Sequence, residues 1–454
     1  MAAAESTPLL DPLFTTDAMR QVFSDRHRLQ RMLDFEAALA RALAEVGVAP
    51  RGTSAVIESK CRVELFDMDS LARATALSGS VAIPMVKALT ELVATSDARA
   101  SAFVHWGATS QDAIDTGLVL QLREALDLID ADLAQLSATL ARLAATHKST
   151  LVAGRTWLQQ GPPVTFGLKV AGWLAAIERH RERLEHARKQ VLLLQLGGAV
   201  GTLAALGDRG LKIAAALARD LKLDLPQMPW HAHRDRLAEV AAVLGLLVGS
   251  LGKIARDISL MSQTEIDEVI EPSGPGRGGS STMPQKRNPV SSAVILAAAL
   301  RIPALVSIIL TCMVQEHERG LGGWHAEWET LPEIFRLAAG ALAHTKEIVA
   351  GLEVHPQKML ENVNLTHGLV LAEAVAFALR ERIGKDNSHK IVEEAARRVA
   401  RDGSDFAVVL LTYPEVRSHL SAEELSRLLD PANYLGSAVE MTEKALSAAS
   451  APKK

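Results

Sequence analysis

Cysteine is nearly absent: Cys61 and Cys312 are the only two in 454 residues. Two thiols cannot hold a disulfide scaffold, and so low a number fits a reducing compartment. Aromatic residues make up 4 %, with two tyrosines, and alternating β-branched runs are hard to find, which argues against a large β-sheet core. Neither sign of charge dominates. Lys and Arg number 49 against 53 Asp and Glu, a net charge of −4, so there is no broad basic footprint for nucleic acid. The segment MAAAESTPLLDP has no basic stretch followed by an apolar core, so no secretory signal is read and a cytoplasmic location is expected. Apolar residues at 48 % and charged ones at 22 % are globular values that argue against wholesale disorder.

What abounds is Ala and Leu at helical spacing. Ile114, Leu118, Leu122, Leu126, Ile129, Leu133, Leu136, Leu140 and Leu143 recur every three or four positions, which predicts one long helix over 112–148. Similar reasoning predicts helices over 163–196, 235–261, 290–315 and 325–351. The expected fold class is all-α, with three helical domains and a central bundle of about five long helices. The bundle would occupy 112–352, between an N-terminal helical domain (1–111) and a C-terminal one (353–454). Within the first, 26–46 reads as an amphipathic helix stopped by Gly47, and 71–78 as a shorter one. The apolar run 293–314 is long enough to span a bilayer. Arg301 near its middle and Pro303 beside it favour instead the centre of a soluble bundle, with no membrane partner.

Three polar islands interrupt this pattern. His105-Trp106-Gly107-Ala108-Thr109-Ser110-Gln111-Asp112 opens the longest helix, and its ordinary reading is an N-cap cluster with Thr109 or Ser110 capping. Gly154-Arg155-Thr156-Trp157-Leu158-Gln159-Gln160-Gly161-Pro162-Pro163 reads locally as a turn before a helix. EPSGPGRGGSSTMPQKRNP (271–289) joins two apolar helices with four glycines and three basic residues. It is either a solvated linker or a loop with functional groups. It contains G-x-G-x-x-G, but after a helix rather than a strand, and no Gly-Lys-Ser/Thr follows; neither a dinucleotide site nor a P-loop is supported. Asn288-Pro289 suits a helix start, where Lys286, Arg287 and the helix N-terminus would form a positive corner for a carboxylate. His231-Ala232-His233 and Glu316-His317-Glu318 offer metal-ligand types without a defined metal spacing, so no metal is assigned.

Taken together, the islands resemble the three signature regions of the fumarase/aspartase superfamily. GSSTMPQKRNP (279–289) fits its G-S-S-x-M-P-x-K-x-N-P signature at every specified position, and GATSQDAIDT (107–116) and GRTWLQQGPPVTFG (154–167) resemble the other two in order and spacing. The resemblance covers nearly the whole chain. It implies three helical domains and a homotetramer whose active sites combine regions from different subunits. Most members carry Thr-His where this chain has Thr156-Trp157, and the segment Val81-Ala82-Ile83-Pro84 lacks a further histidine that adenylosuccinate lyases use. With GGWHAEW (322–328) and DPANYLGSA (430–438), the tryptophan version resembles the lactone-forming, cycloisomerase branch. That likeness implies interconversion of 3-carboxy-cis,cis-muconate and 4-carboxymuconolactone, a step of the protocatechuate/β-ketoadipate route of aromatic-acid catabolism. An adenylosuccinate-lyase-like C–N lyase is the alternative, and a non-catalytic relative a further one.

The resemblance makes Ser280 the catalytic serine. Lys286 and Asn288 would hold a substrate carboxylate where charge develops. Thr109, Ser110, Thr156 and Gln159 would bind the other carboxylates, with His105 a further candidate and Trp157 an apolar wall. No cofactor is implied, and the expected partner is a small tricarboxylate substrate.

Overall fold

The computed structural model describes residues 8–274, 278–279, 282–283 and 285–450. Helices dominate, as the composition predicts. In chain order they include α1 (Asp25–Glu45), α2 (Met68–Ser78), α3 (Ser110–Thr146), α4 (Phe166–Val191), α5 (Gly210–Leu221), α6 (Asp235–Met261), α7 (Val290–Thr311), α8 (Gly323–Gly351), α9 (Ala372–Ile383) and α10 (Lys385–Asp402). The strands are few: β1 (Leu151–Thr156) pairs antiparallel with β2 (Gln159–Thr165), and β3 (Val269–Ile270) with β4 (Glu353–Val354).

Chain contacts divide the molecule into two units, each built from separate segments. Unit 1 comprises 1–133, 180–251 and 297–343; unit 2 comprises 134–179, 252–296 and 344–454. Each unit therefore includes a stretch of each of the five long helices, α3, α4, α6, α7 and α8.

Helix α1 shows how sequence sets the local structure of unit 1. Ser24 caps it by accepting from the His27 N–H at 3.3 Å, and Asp25 complements the dipole of the first turn. Leu29, Met32, Leu33, Leu39 and Leu43 form its buried stripe, which packs against α5. The helix ends at Glu45 and Gly47 follows at φ +77°, close to the expected stop. In α3, Leu122, Leu126, Ile129, Leu133, Leu136 and Leu140 are buried, as their period requires, while Leu118 and Leu143 are half-buried. At 37 residues the helix is about 55 Å long.

Unit 2 has a separate core in the C-terminal helices. Val375 and Leu379 of α9 and Ile391, Val392, Ala395 and Val399 of α10 pack around Phe406, Leu410 and Leu425. Against this part lies the β1–β2 hairpin, with Ala153 in one cluster with Val363, Val370 and Leu371.

The hairpin corrects the reading of 154–163 as a turn before a helix starting at 163. Val152 and Val164 pair across a two-stranded ladder, and α4 begins three residues later, at Phe166. The register shifts between Ala153 and Arg155, so the bulge falls at Gly154 beside Pro163, which has no N–H to give to the ladder. A Cβ on Gly154 would stand 2.4 Å from the Pro162 carbonyl oxygen, so only glycine fits there.

Among the described residues, two single helices, α6 and α7, are long and apolar enough by length and composition to cross a membrane. Arg301, inside α7, donates to Glu333 at 2.6 Å. Only 28 % of the most apolar stretch of α7 is buried within the chain, and Leu300 is 82 % exposed. The expectation that this helix sits at the centre of a bundle is thus not met by one chain alone.

Candidate active site

In unit 1 the first polar island is held by one carboxylate. Asp112, in the first turn of α3, accepts from the Thr109 N–H at 3.0 Å, the Gly197 and Gly198 N–H groups at 2.9 Å each, and stands 2.7 Å from His231 Nε2. The helix start is therefore closed by a third-position carboxylate reaching back, rather than by the hydroxyl of Thr109 or Ser110. This leaves the Thr109 hydroxyl to accept from Arg319 Nη1 at 3.1 Å, while Arg319 Nη2 donates to the Ala199 carbonyl at 3.0 Å. His231, which the sequence left without a role, is buried as a support of Asp112.

Beneath this loop lies a buried ionic group. Arg234, fully buried, donates to Asp115 at 2.7 and 3.1 Å and to Glu327 at 2.5–3.1 Å. Trp324 Nε1 and Gln111 Nε2 each donate to Asp115 at 3.0 Å, and the guanidinium lies 4.9 Å from the Trp230 ring centre. Burial opposes the charge on Arg234, but the two carboxylates outweigh it and hold the guanidinium protonated; burial pushes the Glu327 carboxyl up, with Arg234 countering. His105 sits at the edge of the same loop with its Nδ1 2.6 Å from buried Glu36.

In unit 2 the second and third islands share a root. Arg155 of β1 makes a two-point ion pair with buried Glu268 at 2.6 and 2.9 Å. Asn362 Nδ2 donates to Glu268 at 3.0 Å, and Gln160 Nε2 donates to the Asn362 carbonyl at 2.9 Å. The hairpin is thereby fastened just before the segment that becomes the glycine-rich loop. Its tip is another matter. Thr156, Trp157 and Gln159 are all exposed; Trp157 is 96 % exposed and, with Leu158, adopts φ of +53° and +63°. Two left-handed residues in a two-residue hairpin are the role usually given to Asn-Gly, and bulky side chains there are strained.

Ser280 lies outside the described residues. The flanks of its loop are tied internally. The Glu271 carboxylate accepts from the Ser291 and Ser292 N–H groups at 3.1 and 2.8 Å, so it, not Asn288, caps α7. Arg287 donates to both oxygens of Glu353, at 2.9 and 2.5 Å, and to the Glu271 carbonyl at 3.1 Å. That hydrogen bond holds the Glu353 carboxyl below its ordinary value. The positive corner expected from Lys286, Arg287 and the helix N-terminus is thus mostly spent inside the protein. Lys286 is exposed and lines a cavity of about 350 Å³ with Glu271, Gly278, Gly279 and Asn288.

The structure therefore brings His105, Thr109 and Ser110 together in unit 1, and ties the hairpin to the root of the loop bearing Lys286 and Asn288 in unit 2. Glu36, Arg319 and Glu271 escaped the sequence reading. Glu36 and Arg319 meet partners 69 and 210 residues away, and Glu271, read only as the first residue of the 271–289 stretch, meets its partners 20 and 21 residues on; no local pattern marks these pairings.

A helical chain with these three islands is a lyase: it belongs to the family whose model, described as Lyase, matches residues 13–304, and residues 368–445 match a model of the adenylosuccinate lyase C-terminus. Among curated relatives, the chain is 57 % identical to 3-carboxy-cis,cis-muconate cycloisomerase of Pseudomonas aeruginosa, over 98 % of this chain and 97 % of that one. It is 54 % identical to the protein of the same name from Pseudomonas putida, over 92 % and 99 %. Among solved structures, 3-carboxy-cis,cis-muconate lactonizing enzyme from Pseudomonas putida superposes with a TM-score of 0.93 at 53 % identity, covering 98 % of this chain and 99 % of that one.

Proposed function

We propose that the chain interconverts 3-carboxy-cis,cis-muconate and 4-carboxymuconolactone as an intramolecular lyase. End-to-end identity of 57 % to a relative named for that substrate and reaction carries the reading. Chemistry agrees with the Trp157 substitution. A C–N lyase must protonate a departing amine, which calls for a general acid. In lactone formation the nucleophile is the substrate's own carboxylate, already ionised at neutral pH. Its oxygen forms the C–O bond as the conjugated C=C bond opens, and the electron pair moves toward a neighbouring carboxylate to give an enolate-like intermediate. One proton then forms the C–H bond. Ser280 delivers it and regains one from solvent; in reverse, its alkoxide removes it. Lys286 and Asn288 stabilise the charge that develops. Thr109, Ser110, Thr156 and Gln159 bind the remaining carboxylates with His105, and Trp157 supplies an apolar wall. The scheme uses no cofactor.

Supplying 3-carboxy-cis,cis-muconate and adenylosuccinate separately tests this. Loss of diene absorbance with the former and no fumarate from the latter is expected; the reverse pattern would reinstate the C–N lyase.

The hairpin tip supports a functional role for Trp157, since strain in exposed bulky residues points to a use outside the chain's own packing. Replacing Trp157-Leu158 by Asn-Gly should stabilise the protein by about 1–2 kcal/mol in denaturant titration and raise KM at the same time. A variant that gains stability with kinetics unchanged would remove Trp157 from the site. The assembly is a homotetramer in this reading, supported by the exposed apolar face of α7 (Leu300, Ile308, Leu310), with three consecutive helical domains at 1–111, 112–352 and 353–454. Sedimentation at about four times the chain mass would bear on it. The unpaired, buried Cys61 and Cys312 fit a cytoplasmic location.

A further inference from the structure

A trianionic substrate calls for more positive charge than Lys286 alone, and one feature of unit 1 can provide it. Glu36 is an acidic residue in the middle of the apolar face of α1, and its side chain is wholly buried. A carboxylate there is costly unless it is paired and hydrogen-bonded. Both its oxygens go to one residue: Oε1 stands 2.6 Å from His105 Nδ1, and Oε2 accepts from the His105 N–H at 3.1 Å. The second bond anchors His105 in a left-handed conformation, φ +57°, uncommon outside glycine. The first fixes the ring with Nδ1 inward and Nε2 pointing away. Nε2 has no hydrogen-bond partner among the described residues, and the side chain keeps 15 % of its surface exposed.

We propose that Glu36 is a positioning residue that holds His105 as a cationic ligand for a substrate carboxylate. The inference rests on the placement of His105 in the substrate site. The titratable groups acting on the ring are Glu36 from α1 and Asp112 from the first turn of α3. Burial alone would lower the imidazole pKa; the charge and hydrogen bond of Glu36, with the charge of Asp112, more than offset it and set the value above that of an ordinary histidine. A raised value means the cation is present below that pH and is lost as pH rises through it, so substrate affinity should fall over the same window.

The test uses the full chain with 3-carboxy-cis,cis-muconate. In Glu36→Gln, KM near pH 7.5 should rise about tenfold, the size of one charge-assisted hydrogen bond, with kcat within about threefold. The pH at which KM begins to climb should move down, and Glu36→Asp should restore part of that shift. His105→Asn should show the raised KM with no climb, and the double variant no further loss. A Glu36→Gln enzyme that is merely less heat-stable, with its KM profile unmoved, would overturn the proposal. The ring itself can be read by ¹⁵N NMR without substrate. Loss of the His105 proton at the same pH in wild type and Glu36→Gln also overturns it, whereas absence of turnover by the wild type overturns only the substrate assignment.

Discussion

Replacing Ser280 by alanine should lower kcat for lactone formation by about 10²–10⁴-fold and leave KM within a few-fold of wild type. The hydroxyl is asked to move the one proton the reaction cannot do without, while carboxylate binding rests on other residues. A serine hydroxyl is a weak acid, and its conjugate base forms readily only beside positive charge and donors. Lys286, exposed in a loop whose flanks are pinned by the Glu271 cap and the Arg287–Glu353 pair, is a nearby cation in the sequence, as is Arg277. Steady-state kinetics with the diene substrate reads the effect. Turnover within a few-fold of wild type would remove Ser280 from the chemistry and leave proton delivery to another group.

The second large effect concerns stability. In Arg234→Met, Asp115 and Glu327 would stay buried without their cation, which should cost about 3–5 kcal/mol. The unfolding midpoint should fall by on the order of 10 °C. The sign of the pH dependence follows from the Glu327 carboxyl, which burial already raises and which Arg234 now counters. Without the arginine its folded value rises further above the unfolded one. The folded variant then binds more protons than the unfolded chain, so its stability should recover on acidification and fall as pH rises. Thermal unfolding of wild type and variant between pH 5 and 8 checks this. A loss below 1 kcal/mol would mean that water reaches the carboxylates once the guanidinium is gone.

These residues also show what the sequence can and cannot disclose. The register of α3 was legible because one largely buried stripe, from Ile114 to Leu143, repeats with the helix period over about eight turns. The three polar islands were legible because each breaks an apolar, helical background. The hairpin was not: its turn is Trp157-Leu158 rather than Asn-Gly, and its second strand carries Pro162-Pro163, so both usual strand signals are missing. Nor could pattern reveal the pairs Arg234–Asp115 and His105–Glu36, whose partners lie 119 and 69 residues apart. Glu36 looks in sequence like an interruption of an amphipathic face, and only its burial against His105 gives it a role. Asn288 illustrates the converse: a good capping residue in a plausible place, displaced from that task by a carboxylate from seventeen residues upstream.

Ring closure by an oxygen that is already ionised leaves one proton to transfer, and this is most directly tested by turning over 3-carboxy-cis,cis-muconate in D₂O and reading the product by proton NMR. The expected product is 4-carboxymuconolactone with a single carbon-bound deuterium next to the new C–O centre, formed without release of fumarate or ammonia. An unchanged diene, or a product fragmented rather than cyclised, would contradict the assignment.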